Sequence, residues 1–378
     1  MISRKIIRTI REAPIELSRL LRGHYPSFVS EFHPAQLVDE VPVFMFHQDD
    51  PVVLETQFAY LKQNGYRSLS LNEFMGFLSG TIRITPRSVL LTWDDGDSSW
   101  FTDVCPLLKK YGFCGIGFVV PAYIDDQPVK TSERRWLTWN ELAEMDTSGL
   151  MDIQSHSHRH DRIFTGPEVF DFFHPGFDVN PLHLDIPWHW ENGRYTNRLQ
   201  LGTPLYRHSS RFEDRPMIKP DPEILARCMS YVDDRGGEQF FQQSGWRREL
   251  LTVYHLTIQK SFSFDTESHQ EQETRILESL SLSRKILSQK LGKDVAHLCY
   301  PYGIGSRLAV RLSQRSGYIS NFWVIPPGRR TSRAGDSPFY IPRIKNDYIF
   351  RLPGKGRKSL ADIFSAKLRR RMQRIHIY

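Results

Sequence analysis

The chain has 378 residues, 40% of them hydrophobic and 25% charged, which excludes a disulfide-stapled mini-protein or a disordered tract and leaves one large domain or two ordinary ones. The formal net charge is +7, but residues 1–23 carry six Lys/Arg against two Glu and residues 354–378 carry eight against one Asp. The body between them is therefore slightly acidic, which excludes nucleic acid as the partner, because such binders carry their positive charge on the folded body.

Residues 1–23 place Ile2, Ile6, Ile7, Ile10, Leu17, Leu20 and Leu21 at roughly helical spacing, interrupted at Pro14. The run VPVFMF (41–46) reads as a buried strand ending at His47, and 54–64 as a helix closed by Asn64-Gly65. SVLLTW (88–93) is a second strand, running into Asp94-Asp95-Gly96. A helix over 100–111 and a strand over 115–120 follow. Thr138 with Glu141 three positions on is a capping-box signature for a helix over 138–148. A strand from Met151 to Gln154 ends at Ser155-His156. Farther on come a long amphipathic helix over 271–291, a strand at 295–300, a helix over 306–316 and strand-like segments at 319–324 and 338–344.

Strands alternating with helices predict an α/β protein with a parallel sheet or barrel. Reactive groups in such folds sit at the C-terminal ends of strands. His47, Asp94-Asp95, His156 and Tyr302 all directly follow a predicted strand. Residues 165–270 break the alternation and are rich in Pro, His, Trp, Tyr and Arg, so they read as an insertion forming a lid or substrate wall. The expected divisions are a basic amphipathic segment (1–36), a core (37–164 and 271–350), the insertion, and a basic tail (351–378).

Cys105, Cys114, Cys228 and Cys299 form no CxxC pair and read as inert thiols in a reducing compartment. No secretory leader pattern stands at the N-terminus, and no stretch approaches the ~20 apolar residues of a spanning helix. The expected location is the cytoplasm, with the basic ends either docked on an anionic inner-membrane face or simply solvated.

Two short motifs carry the chemistry. In QSHSHRHDR, His156 and His160 lie four apart, a spacing common among ligands of zinc and similar divalent ions; the alternative is a solvated His-rich loop. In LLTWDDGD, two adjacent carboxylates stand at a strand end. Burying both is costly without a cation, whereas a surface Asp-Asp-Gly turn is unremarkable.

Together, Thr92-Trp93-Asp94-Asp95-Gly96 and His156-Ser157-His158-Arg159-His160 resemble the polysaccharide deacetylases with a NodB homology domain, carbohydrate esterase family 4. The resemblance covers 41–163 and 271–347 and implies a distorted (β/α) barrel with a large insertion. It implies that Asp95, His156 and His160 ligate a divalent metal, Zn²⁺ foremost with Co²⁺, Ni²⁺ or Fe²⁺ as alternatives, and that Asp94 is the general base. Tyr300-Pro301-Tyr302-Gly303 looks like the family's third motif, whose Tyr302 amide helps hold the oxyanion.

This chain departs from the family pattern in three places. Trp93 stands where Phe is usual and is expected to keep a bulky wall. The arginine that often opens the third motif is missing, and Arg343 is the candidate replacement to orient Asp94, the alternative being an exposed salt-bridge residue. The late histidine motif that supplies the general acid is also missing, and His47 is the candidate acid or pocket group. His158 is expected to face outward.

The implied reaction is hydrolysis of an N-acetyl group on an amino sugar, in a glycan or lipid-linked glycan precursor of cell-surface polysaccharide. A deformylase or cyclic-amide hydrolase on the same fold, and a non-catalytic glycan-binding module, are the other readings. Within the insertion, Asp185, Trp188, His189, Trp190 and Arg207 are of the residue types that grip sugars and phosphates, or else form its own core and surface.

Overall fold

The computed structural model describes residues 25–47, 50–128, 135–177, 184, 186–191, 194–258, 264–324 and 331–372. The amphipathic segment expected over 1–23, Asp185, and the side chain of Trp190 lie outside this description.

The core is built on strands β1 (Val43–Phe46), β2 (Arg67–Ser68), β3 (Ser88–Asp95), β4 (Gly115–Val119) and β5 (Met151–Ser155). The insertion contributes β6 (Arg162–Phe172), β7 (His189–Glu191), β8 (Arg194–Thr196), β9 (Pro204–Ser210), β10 (Ile218–Lys219) and β11 (Asp265–Thr266). The core then resumes with β12 (His297–Cys299), β13 (Ser320–Trp323), β14 (Ile341–Pro342) and β15 (Ile344–Lys345).

Eight strands run in the order β14-β13-β12-β5-β4-β3-β1-β15, all parallel, with β2 alongside β3. The two ends of this path, β14 and β15, are consecutive in sequence and separated by Arg343 alone. One five-residue segment therefore pairs with β13 on one side and β1 on the other, and Arg343 stands at the seam of a nearly closed barrel. The expected α/β barrel is present.

Strand alternation divides the apolar residues between two cores. Val43, Leu90, Ile116, Phe118, Cys299, Phe322 and Ile341 fill the barrel interior, together with Leu71, Phe74, Phe77 and Leu78 of the helix Leu71–Leu78. Phe44, Phe46, Val89, Leu91, Trp93 and Val119 point outward beneath the helices Pro51–Gln63, Cys105–Tyr111 and Trp139–Thr147. Gly115 allows the tight outer packing: a Cβ there would lie 2.4 Å from Trp93 Cζ3.

The capping box at Thr138–Glu141 is formed, and equivalent boxes at Ser70–Glu73 and Ser268–Glu271 start the helices Leu71–Leu78 and His269–Leu291. Ser70 followed three positions on by Glu73 carries the same pattern. Residues 338–344 are not one strand; Pro338 and Pro342 break it into a 3₁₀ turn and two short strands. All four cysteines are free thiols.

The insertion is an ordered unit, not a loose flap. Its antiparallel β6–β9 pair carries helices Pro222–Asp233 and Trp246–Ile258, closed over Phe164, Tyr206, Ile224, Val232, Leu250 and Tyr254.

The segment from 351 is not a free basic tail. Arg351 donates to the carbonyls of Val29, Glu31 and Lys358, and Arg357 to those of Phe28, Glu31, Phe32 and Arg351. In the helix Leu360–Met372, Ile363 is buried, and Lys367 and Arg370 pair with Asp347. No helix among the described residues is long and apolar enough to cross a membrane.

Candidate active site

The parallel ladder brings the C-terminal ends of β3, β4, β5 and β12 to one level. Asp95 pairs with Val119, Val119 with Ser155, and Ser155 with Leu298. The residue after Ser155 is His156, so this level places Asp95 and His156 at the ends of two strands, β3 and β5, separated only by β4. Asp95 Oδ1 lies 3.6 Å from Nε2 of His156 and 3.6 Å from Nε2 of His160, and all three side chains are buried.

Backbone strain concentrates here. Of the five non-glycine residues with positive φ among the described residues, four are Asp95, Ser157, His160 and Tyr302. Left-handed backbone costs a non-glycine residue about 1–2 kcal/mol, so the surrounding packing must hold these turns in place. Ser157 Oγ accepts from the His160 amide at 3.2 Å and braces the turn between the two histidines.

The donor set suits a divalent cation. The His156 Nδ1 sits 2.9 Å from the Cys299 carbonyl, which can only accept, so Nδ1 carries the proton and Nε2 presents its lone pair toward Asp95. Burial lowers the pKa of both His156 and His160, which keeps both rings neutral and able to ligate. Ligand atoms ~2.0–2.2 Å from a tetrahedral ion lie a little over 3 Å apart, close to the separations here. Asp94, His156 and Cys299 form a second potential ligand group sharing His156, but Asp94 already has another partner.

That partner is Arg343. Its Nη1 and Nη2 donate to the two carboxylate oxygens of Asp94 at 2.6 and 2.7 Å, and Nη1 also reaches Thr92 Oγ1 at 3.2 Å. Thr92 Oγ1 in turn donates to the Phe44 carbonyl at 2.9 Å. Arg343 is therefore fully buried at the barrel seam, not an exposed salt-bridge residue. Burial opposes ionisation of Asp94, but the guanidinium outweighs it and holds the carboxyl well below the usual carboxylate range.

His47 Nε2 lies 3.7 Å from Asp94 Oδ2, and burial pushes its pKa down to about 4, so the ring is neutral near pH 7. Tyr302 closes the other side. Its ring lies 4.5 Å from that of His160 with the Arg162 guanidinium 4.0 Å from its centroid, and its hydroxyl donates to the Leu184 carbonyl at 2.9 Å. Through Leu184 the insertion, and through Arg162 the strand leading into it, thus reach the Tyr302 ring beside His160.

Several expectations need correction. Trp93 is no substrate wall: it follows Thr92 and precedes Asp94 on the strand, so it faces outward, stacked 4.6 Å from Phe46 with no exposed surface. His158 does not face solvent; it is buried beside Arg159 and Asp161, in a cavity that none of Asp95, His156 and His160 lines. Trp188 stacks on Tyr195 at 5.2 Å with Arg159 over its ring, and Arg207 is exposed on β9. His189 is buried near Phe164. Cys299 is a free, buried thiol whose pKa is pushed up by burial, as an inert thiol requires; its backbone carbonyl fixes His156 and its side chain lies beside Asp94, roles that no sequence pattern announces.

Comparison with known proteins agrees with the fold. Residues 82–169 match the polysaccharide deacetylase family. The chain is 30% identical over 112 residues to the poly-beta-1,6-N-acetyl-D-glucosamine N-deacetylase of Escherichia coli K12, a stretch covering 28% of this chain and 17% of that one. It is 28% identical over 104 residues to the enzyme of the same name in Staphylococcus aureus, covering 28% and 35% of the respective chains. The match thus spans well under half the length of these curated relatives. A solved de-N-acetylase from Aggregatibacter actinomycetemcomitans superposes over 86% of this chain and 100% of its own, with a TM-score of 0.54 at 18% identity, which shows a shared fold. The resemblance drawn from the two motifs is borne out, and with it the barrel.

Proposed function

We propose that this chain hydrolyses the N-acetyl group of an amino sugar within a polysaccharide or its lipid-linked precursor, using one divalent cation. The observation that carries the reading is the convergence of Asp95, His156 and His160 beside an aspartate clamped by a buried arginine. The names of the two curated relatives support an N-acetylglucosamine polymer, β-1,6-linked first, as the substrate class.

Asp95 Oδ1 and the Nε2 atoms of His156 and His160 would hold the cation, with Zn²⁺ the best match to two imidazoles and a carboxylate. A cation bound there supplies Lewis acidity, polarising the amide carbonyl and acidifying water. Asp94 is the general base: Arg343 keeps it ionised and fixes both its oxygens, so it takes the proton from attacking water with little reorganisation. The Tyr302 N–H is the donor assigned to the developing oxyanion. His47 is neutral at rest and has a higher pKa than Asp94, so the proton captured by Asp94 passes downhill to Nε2 of His47. His47 then protonates the departing amine, which would otherwise leave as an unstable anion.

The test is product analysis by mass spectrometry after incubating cation-loaded protein with N-acetylated β-1,6-glucosamine oligomers. Acetate and a free amine in equal amounts support the reading. Formate from N-formyl sugars with no acetate would instead favour a deformylase. The place of action proposed with this reading is the cytoplasm, with the basic segments at an anionic membrane face; failure to float with anionic vesicles at low salt would remove the membrane part.

A further inference from the structure

Between the loop carrying His158 and the helix His269–Leu291 lies a cavity of about 480 Å³. None of Asp95, His156 and His160 lines it. Its size falls within the roughly 300–1,000 Å³ typical of small-molecule sites.

The inner wall is polar and buried. Asp161 is 5% exposed and Ser279 8%, and among the described residues Asp161 Oδ1 and Ser279 Oγ have no hydrogen-bond partner. Buried polar side-chain atoms are paired in the great majority of cases, so two of them on one cavity wall mark a place where a ligand supplies the partners. Arg211, also on this wall, is held rigid by Glu267, with Nη2 2.9 Å from Oε2. Arg159, Arg275 and Lys285 complete the positive side, and Glu278 stands at the rim.

This lining places opposite demands on a ligand. An anion satisfies the guanidinium groups but meets the Asp161 carboxyl. A cation satisfies Asp161 but meets four basic side chains. A neutral group that both donates and accepts, such as a sugar hydroxyl or an acetamido group, satisfies both sides at once. Tyr195, stacked on Trp188, adds the aromatic face on which pyranose rings pack. A second depression of about 420 Å³ shares Arg275 and Glu278 and continues along the same helix, so the groove is longer than one ring.

The geometry points to a second saccharide-binding subsite, made for neutral, still N-acetylated rings of a polymer and unfavourable to deacetylated, cationic ones. The choice of polymer rests on the proposed deacetylase activity. Such a site keeps a chain engaged on its unreacted stretches and releases stretches already converted.

The test uses calorimetry on the cation-loaded Asp94→Asn protein with a β-1,6-linked N-acetylglucosamine pentamer and its fully deacetylated form. The acetylated pentamer is expected to bind at least tenfold more tightly, and Asp161→Asn or Ser279→Leu to weaken it about tenfold, the loss expected for removing one buried hydrogen-bonding pair. Lys285→Glu, at the exposed rim, cannot disturb the core and is expected to strengthen binding of the deacetylated form. In the active enzyme, Ser279→Leu raises KM for the pentamer. Equal binding of the two pentamers, or pentamer binding indifferent to all three substitutions, overturns the subsite. If no saccharide yields acetate but Ser279→Leu still weakens pentamer binding about tenfold, the deacetylase reading fails while the subsite stands.

Discussion

Arg343→Met removes a buried guanidinium of similar length and leaves Asp94 ionised in the barrel with neither of its hydrogen bonds of 2.6 and 2.7 Å. Breaking a buried ion pair from one side costs about 3–5 kcal/mol, because the remaining charge is uncompensated. The cost carries a pH signature. In the parent protein Asp94 titrates below the ordinary range, so the pair's contribution is complete above the unfolded pKa near 3.9 and is lost only as pH falls through the lower folded value. In the variant burial is the largest influence left on Asp94, stronger than the histidines His156 and His47 beside it, and raises its pKa, so the folded state takes up a proton before the unfolded chain does. The variant should therefore be about 3–5 kcal/mol less stable than the parent at pH 7.5, with the deficit shrinking toward pH 4. Urea unfolding of both proteins in chelator at pH 7.5 and 5 measures this, and adding Asp94→Asn to the variant should restore part of the loss. A deficit below about 1 kcal/mol, or one equally large at both pH values, would refute the reasoning.

Other perturbations separate the remaining roles. Asp95→Asn or His156→Ala should weaken divalent-cation binding by more than the roughly 10–100-fold typical of losing an outer-shell partner, read by calorimetry on apo protein. His47, His158 and His297 are each pushed by burial to about 4, so the unfolded chain binds protons that the folded apo protein refuses. Stability should then fall as pH drops from about 6.5 toward 4, and His297→Gln should flatten the slope by up to about 1.4 kcal/mol per pH unit in urea titrations. Gly303→Ala, whose Cβ would lie 2.0 Å from Val324 Cγ2 at a φ of +66°, should displace Tyr302 and cost about 2–4 kcal/mol, with Val324→Ala recovering part of it in thermal melts. Trp93→Phe should lower stability by about 1–3 kcal/mol and leave KM for saccharide unchanged, as a residue of the outer core and not of the substrate wall requires.

The barrel was legible because its strands are short apolar runs punctuated by glycine, proline and capping boxes, and because period-two alternation sorts their residues without reference to distant chain. The same alternation, applied to Thr92-Trp93-Asp94, already places Trp93 on the opposite face from Asp94; the expectation of a substrate wall comes from the family pattern instead. The pairing of Arg343 with Asp94 across 249 positions was legible only as a candidate, since no local pattern separates a seam arginine from a surface one. Burial of His158 and the closure of 351–372 against Val29, Glu31 and Asp347 depend on tertiary contacts between segments far apart in sequence. The Ser70–Glu73 capping box has the same local signature as Thr138–Glu141 and is equally legible in the sequence.

Titrating a divalent cation into chelator-treated protein while following acetate release from an N-acetylglucosamine oligomer tests the account most directly. Activity should rise linearly and saturate at one cation per chain, and Asp95→Asn should show neither tight binding nor turnover. Acetate release that is independent of cation content, or that persists unchanged in Asp95→Asn, would contradict it.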